Sequence, residues 1–157
     1  MKITFLLTGK TESPSLIKEI SIYEERIKRY TTYCRTEIPE LKRGSSLSKD
    51  EIRQREGELI LKNIKPQDQV VLLDVAGRSL TSEEFADFIE KRGVYGAKTL
   101  IFAVGGAYGF SEEVYDRADY KLSLSPMTFS HQLARLLFIE QLYRAFTIIR
   151  GEPYHHG

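Results

Sequence analysis

The run VVLLD at Val70–Asp74 is apolar without a break until its terminal carboxylate. A strand apolar on both sides must be covered on both sides, which points to a parallel sheet between helical layers. TLIFAVGG from Thr99 repeats the pattern, KITFLLTG from Lys2 opens the chain with it, and Tyr120–Leu124 reads as a shorter strand. Helical periods lie between these runs. Leu16, Ile20, Tyr23, Ile27 and Tyr30 recur at spacings of three and four, predicting a helix from Ser13 to about Tyr33, with Pro14 suited to its first turn. Ser48 with Glu51, and Thr81 with Glu84, have the capping-box offset and open helices toward Ile64 and through Phe85, Phe88 and Ile89. A short strand is expected near Arg35–Ile38, ended by Pro39, and the polar stretch from Lys42 to Lys49 reads as a loop. A last helix runs from about Phe129 to Ile149. The alternation predicts an α/β fold with a mostly parallel sheet flanked by helices. At 157 residues, with eight Phe and nine Tyr, residues 1–157 are expected to form a single domain around one real core.

Composition removes several function classes. No apolar run approaches the ~18–20 residues that cross a bilayer, and the N-terminus lacks the long apolar region of a signal peptide, so a cytoplasmic protein is expected. The single cysteine, Cys34, excludes an intramolecular disulfide framework and a Cys-rich zinc site, and reads as a small core residue. His131, His155 and His156 are the only histidines and belong to no metal-binding motif, so no metal is expected. Twenty-three Lys and Arg against twenty-two Asp and Glu leave a net charge of +1. Bulk electrostatics therefore neither suggest nor forbid a nucleic acid partner.

In open α/β sheets, ligands bind outside the carboxyl ends of the strands. Three such ends carry unusual residues: Leu73 to Arg78, Gly105 to Phe110, and Ser123 to Met127. GGxxG is neither a dinucleotide fingerprint nor a P-loop, and Gly105 and Gly106 alone would fit a tight turn. Three strand ends sharing the pattern favour a small-ligand pocket. The last helix is apolar around most of its circumference, broken by a polar stripe of Glu140, Gln141 and Arg144, which suggests burial partly against a second copy of the chain. His131 and Arg135, four apart, read either as a surface pair beside that interface or as a substrate-facing pair.

The stretch GGAYGFSEEVYDRADYKLSLSPMTFSHQLARLLFIEQLYRAF, followed by RGEPYHH, closely resembles the ribosomal RNA large subunit methyltransferase H family. KITFLLTGK and LLDVAGRSLTSEEFA extend the resemblance over the whole chain, more loosely in its first hundred residues. These are SPOUT-class enzymes that methylate N3 of a pseudouridine in 23S rRNA. The resemblance implies a SPOUT-type fold with a C-terminal trefoil knot, a homodimer, the ribosome as partner with no DNA or membrane, and S-adenosyl-L-methionine bent in the knot loops. It puts the cofactor on Leu73, Gly105, Leu122, Ser123, Leu124, Ser125, Pro126 and Met127, on the same three strand ends. It implies active-site roles for Arg144, in the LYRA motif, and for Tyr154 and His155, in the PYH tail. His155 or an ordered water would take the imide proton, with Arg144 or Arg135 stabilising the base or a phosphate, and His131 and Arg135 would face substrate. Ala76 and Arg78 stand where relatives often carry Gly-Lys, so Arg78 keeps the positive charge. Two alternatives stand beside this reading: a ribosome-associated binding factor without turnover, and SPOUT methylation of another base, such as guanosine N1 in transfer RNA.

Overall fold

The computed structural model describes residues 1–41 and 46–157. Ten elements alternate along the chain: β1 (Lys2–Thr8), α1 (Pro14–Ile27), β2 (Thr32–Ile38), α2 (Lys49–Lys62), β3 (Gln69–Ser79), α3 (Ser82–Val94), β4 (Thr99–Val104), α4 (Glu112–Arg117), β5 (Tyr120–Ser123) and α5 (His131–Ile149). The strands form one sheet in the order β2-β1-β4-β3-β5, with every pairing parallel. Side chains alternate across it as the period of a strand requires. Ile3, Phe5, Leu7, Val71, Leu100, Phe102 and Val104 point to the face covered by α1, α3 and α5. Leu6, Val70, Leu72, Ile101 and Ala103 point to the other, under Ile60 of α2 and Val114 of α4. Both faces are dry, as the unbroken apolar runs predict.

The local signals for the helices hold in detail. Thr81 and Glu84 form a complete capping box, and Ser48 accepts from the Glu51 backbone N–H. Three expectations need correction. The first helix ends at Ile27, well short of Tyr33, and β2 begins at Thr32. Tyr30 continues the helical spacing only by coincidence: its ring stacks on Phe146 of α5 from the turn after α1. Cys34 is only half-buried, on the edge strand β2, with Sγ 3.5 Å from Thr4 Oγ1. The polar stretch 42–49, expected as a loop, lies partly outside the described residues.

The third correction concerns β3, which continues past Asp74 to Ser79. Leu122 of β5 is the partner of both Leu73 and Arg78, so residues 74–77 loop out while the strand resumes beyond them. The β5 backbone runs hard against this excursion. A Cβ on Gly77 would lie 2.7 Å from Leu122 N and from Lys121 C, so the position requires glycine. Burial of α5 comes largely from within the chain. Phe138, Ile139, Leu142, Ala145 and Phe146 pack into the core, while Leu133 is exposed and Leu136, Leu137 and Tyr143 are half-buried.

Candidate active site

The break in β3 and the carboxyl ends of β4 and β5 converge on one cleft of about 490 Å³. Leu73, Asp74 and Val75 line it from β3, Val104 to Ala107 from the end of β4, and Ser123, Leu124, Ser125 and Met127 from β5 and the loop after it. Its size falls in the usual range for a small-molecule site, roughly 300–1,000 Å³. Of the eight residues predicted to hold a cofactor, Leu73, Gly105, Ser123, Leu124, Ser125 and Met127 line this cleft. Leu122 is buried and lines the neighbouring hollow instead, and Pro126 is exposed and lines neither.

Local hydrogen bonds hold the cleft walls in shape. Ser123 Oγ donates to the Ser125 carbonyl at 2.9 Å, and Ser125 Oγ accepts from the Met127 N–H at 3.0 Å. Asp74 accepts from the Ala76 N–H at 2.8 Å and from the Tyr115 hydroxyl. Burial and that bond push the Tyr115 hydroxyl up to about 12, so it remains a donor at neutral pH. Gly109 has φ +79°, a conformation glycine adopts without strain. Behind the loop, a Cβ on Gly106 would lie 2.7 Å from Glu56 Oε1. Glu56 is only 2% exposed. Its Oε2 accepts from the Leu41 N–H, and its Oε1 has no partner among the described residues. Burial, reinforced by Glu40, raises its pKa. No motif announces Glu56; a glutamate followed by Gly57 amid a charged helix carries no distinguishing signal.

A second hollow of about 660 Å³ shares Ser123, Leu124 and Phe129 with the first and extends along α5 to Glu140 and Arg144. Here the helix and the tail meet. Arg144 Nη2 donates to Glu140 Oε1 at 2.5 Å, the i,i+4 pair expected from the sequence, and its guanidinium lies 4.8 Å from the Tyr154 ring centre. Glu140 holds the arginine firmly charged. Tyr154 donates to the same Glu140 oxygen at 2.9 Å, and burial raises its pKa far above the ordinary phenol value. His155 Nδ1 lies 3.1 Å from Arg144 Nη1, and its Nε2 lies 2.8 Å from Glu83 Oε1. The tail turns back because Gly151, at φ +67°, ends α5 with a left-handed residue. Arg144, Tyr154 and His155 are thus brought together with Glu140, and Glu83 joins them without having been singled out.

His131 and Arg135 are not a matched pair facing one site. His131 is half-buried at the start of α5 and lines the cleft. Arg135 is 0% exposed, and its guanidinium donates to the Thr8 carbonyl at 2.8 Å, the Gly9 carbonyl at 3.0 Å and Thr11 Oγ1 at 3.1 Å. It ties α5 to the end of β1, and its one donor nitrogen without a partner among the described residues, Nε, is buried with the rest of the side chain. The expectation of a substrate-facing arginine is corrected on that ground: a long side chain one turn from a pocket reaches inward as readily as outward.

With this geometry in hand, comparison with known proteins is specific. A family model described as predicted SPOUT methyltransferase matches residues 1–155. The chain belongs to this family of methyltransferases. Among individual relatives, it is 51% identical over 156 residues to the ribosomal RNA large subunit methyltransferase H of Christiangramia forsetii, with 99% of each chain covered. It is 50% identical to the protein of that name from Bacteroides thetaiotaomicron, again with 99% of each covered. Among solved structures, a putative methyltransferase from Legionella pneumophila with bound SAM matches 90% of this chain and 65% of its own length, at 10% identity and a TM-score of 0.48.

Proposed function

We propose that the protein transfers a methyl group from S-adenosyl-L-methionine to N3 of a pseudouridine in 23S rRNA, in the cytoplasm, acting as a single-domain homodimer on the assembled ribosome. The observation that carries this reading is the convergence of β3 at its break and the ends of β4 and β5 on one cleft, with Arg144, which Tyr154 and His155 contact, on the wall of the hollow that adjoins it. The register jump at Leu73 and Arg78, with β5 pressed on Gly77, supports a threaded, knotted C-terminal half. The exposed and half-buried apolar residues of α5 support a second copy as its cover.

The cleft residues fit the cofactor. Gly105 and Gly106 expose backbone to an approaching ligand, Leu73, Leu124 and Met127 offer apolar contact, and Ser125 and the turn backbone offer polar contact. The cofactor supplies a methyl group already activated on a sulfonium sulfur. The protein's part is therefore alignment and proton management. The imide N3 carries a proton that must leave for nitrogen to attack. His155 is the base that accepts it, and Arg144, held by Glu140 and Tyr154, stabilises the anion that forms. His131, at the cleft wall, orients the substrate. An RNA base reaching this cleft must be unstacked, as in a loop.

Calorimetric titration with S-adenosylhomocysteine tests the cofactor site. Saturable binding to the wild type that Gly105→Leu abolishes is expected, because a side chain there fills the loop against Phe110. Equal binding by a folded Gly105→Leu variant would remove the cleft from consideration.

A further inference from the structure

His155 touches two groups of opposite hydrogen-bonding character. Arg144 Nη1, 3.1 Å from Nδ1, has only protons to give, so Nδ1 accepts. The ring proton of the neutral imidazole then sits on Nε2, 2.8 Å from Glu83 Oε1, where it donates to the carboxylate. Of the two neutral tautomers, only this one satisfies both contacts. Imidazolium would set a second N–H against the arginine.

Glu83 is well placed for this by its helix. It stands in the first turn of α3, between Thr81, which closes the capping box with Glu84, and Phe85 in the core. Next to it, Ser82 Oγ donates to Gln141 Oε1 of α5 at 2.7 Å. One helical turn therefore grips both α5 and the tail. The His155 contact holds the Glu83 carboxyl below its ordinary range, so the carboxylate is charged where the ring needs it.

From this geometry we propose that Glu83 is a positioning residue for His155, fixing the Nε2–H tautomer so that the Nδ1 lone pair is the proton acceptor and Arg144 is its removable cover. The proposal rests on the reading of His155 as base. When the imide proton passes to Nδ1, the N3–H bond breaks, the Nδ1–H bond forms, and Arg144 must leave Nδ1. Its charge becomes available to the imide anion, while Glu83 remains on Nε2–H and stabilises the imidazolium. The groups around the ring are Glu83 from α3 and Arg144 and Glu140 from α5, with the Tyr154 hydroxyl beside them and Gly157 of the tail packed against Nε2 and Glu83 Oε1.

The test combines nitrogen NMR of the imidazole with methylation of ribosomes across pH. In the wild type, His155 is expected as the single Nε2–H tautomer. Glu83→Leu should mix the tautomers and lower kcat about 10- to 100-fold, the usual effect of losing a partner that orients a histidine, with KM for the cofactor unchanged. Because a carboxylate favours imidazolium, its loss should move the acid limb of kcat to lower pH. Glu83→Gln, which still accepts from Nε2–H, should restore the tautomer and most of the plateau rate yet keep the shifted limb. Asp87→Asn, an exposed change one turn along α3, should do none of this. A Glu83→Leu enzyme with the wild-type tautomer, kcat and pH profile would overturn the inference while His155→Ala remained inactive. Full turnover by His155→Ala would instead overturn the base assignment on which it rests.

Discussion

Arg135 and Arg144 show how differently two arginines of one helix are placed: Arg144 meets Glu140 and the tail, whereas Arg135 turns into the core. Among the described residues Arg135 has no carboxylate partner, only three oxygens around β1 and the turn after it, and burial lowers its pKa. Replacing it with Met leaves those acceptors without donors and should cost about 3 kcal/mol, on the scale of hydrogen bonds to charged groups, with the cofactor affinity of the folded protein retained. Urea denaturation together with calorimetry checks both parts. Glu56 makes a pH-dependent prediction. A buried carboxyl with a raised pKa binds its proton more tightly in the folded state, so its contribution is present below about pH 4.5 and is lost as pH rises through the folded pKa. Glu56→Gln should therefore gain stability relative to wild type as pH rises from 4.5 and level off once the wild-type carboxyl has ionised. Denaturant midpoints measured across that range would show a constant difference if burial did not govern this carboxyl.

Among the elements, α3 and β3 carry most of the site's geometry. Thr81→Ala removes one half of the capping box and should destabilise the protein by about 1 kcal/mol. It should also loosen the turn that holds Glu83 against His155. Gly77→Ala is a harsher change, because the β5 backbone leaves no room for a methyl. It should lower the thermal midpoint far more than Gly96→Ala, whose surroundings are open and whose cost is that of a positive φ alone. Equal midpoints would mean that β5 does not pass where Gly77 meets it. These elements also mark what sequence could reveal. The buried strands, the caps and the glycine-bearing loops that line the cleft were legible because apolar continuity, Ser/Thr-x-x-Glu spacing and glycines after strands are local signals. The resumption of β3 beyond Asp74 was not, because Arg78 and Ser79 pair only with Leu122 and Ser123, far along the chain. Short α4 passed unnoticed for a similar reason, since six residues hold only one buried apolar position, Val114. Arg135 was misjudged because helical spacing specifies a face but not whether a long side chain turns into the core. Arg144, Tyr154 and His155 were legible through family resemblance, whereas Glu83 became visible only when the tail folded onto α3.

At the scale of the whole molecule, a net charge of +1 bears on how RNA is engaged. With few spare cations, affinity for a naked RNA fragment should be weak, and on the proposed reading the ribosome's shape would supply the rest. The half-covered α5 predicts a sedimentation mass twice the 18.1 kDa of one chain at micromolar concentration. A mass of one chain would show that α5 needs no second copy. No described helix is long and apolar enough to cross a membrane. The central claim is methyl transfer to a defined rRNA base, and it is tested most directly by supplying labelled S-adenosyl-L-methionine with ribosomes from a strain lacking the corresponding gene, then mapping the label by mass spectrometry. The account predicts one methyl group per ribosome, on N3 of a pseudouridine in 23S rRNA, with little transfer to the isolated stem-loop. Label on transfer RNA, efficient modification of the short stem-loop, or no transfer by a protein that binds the cofactor would contradict it.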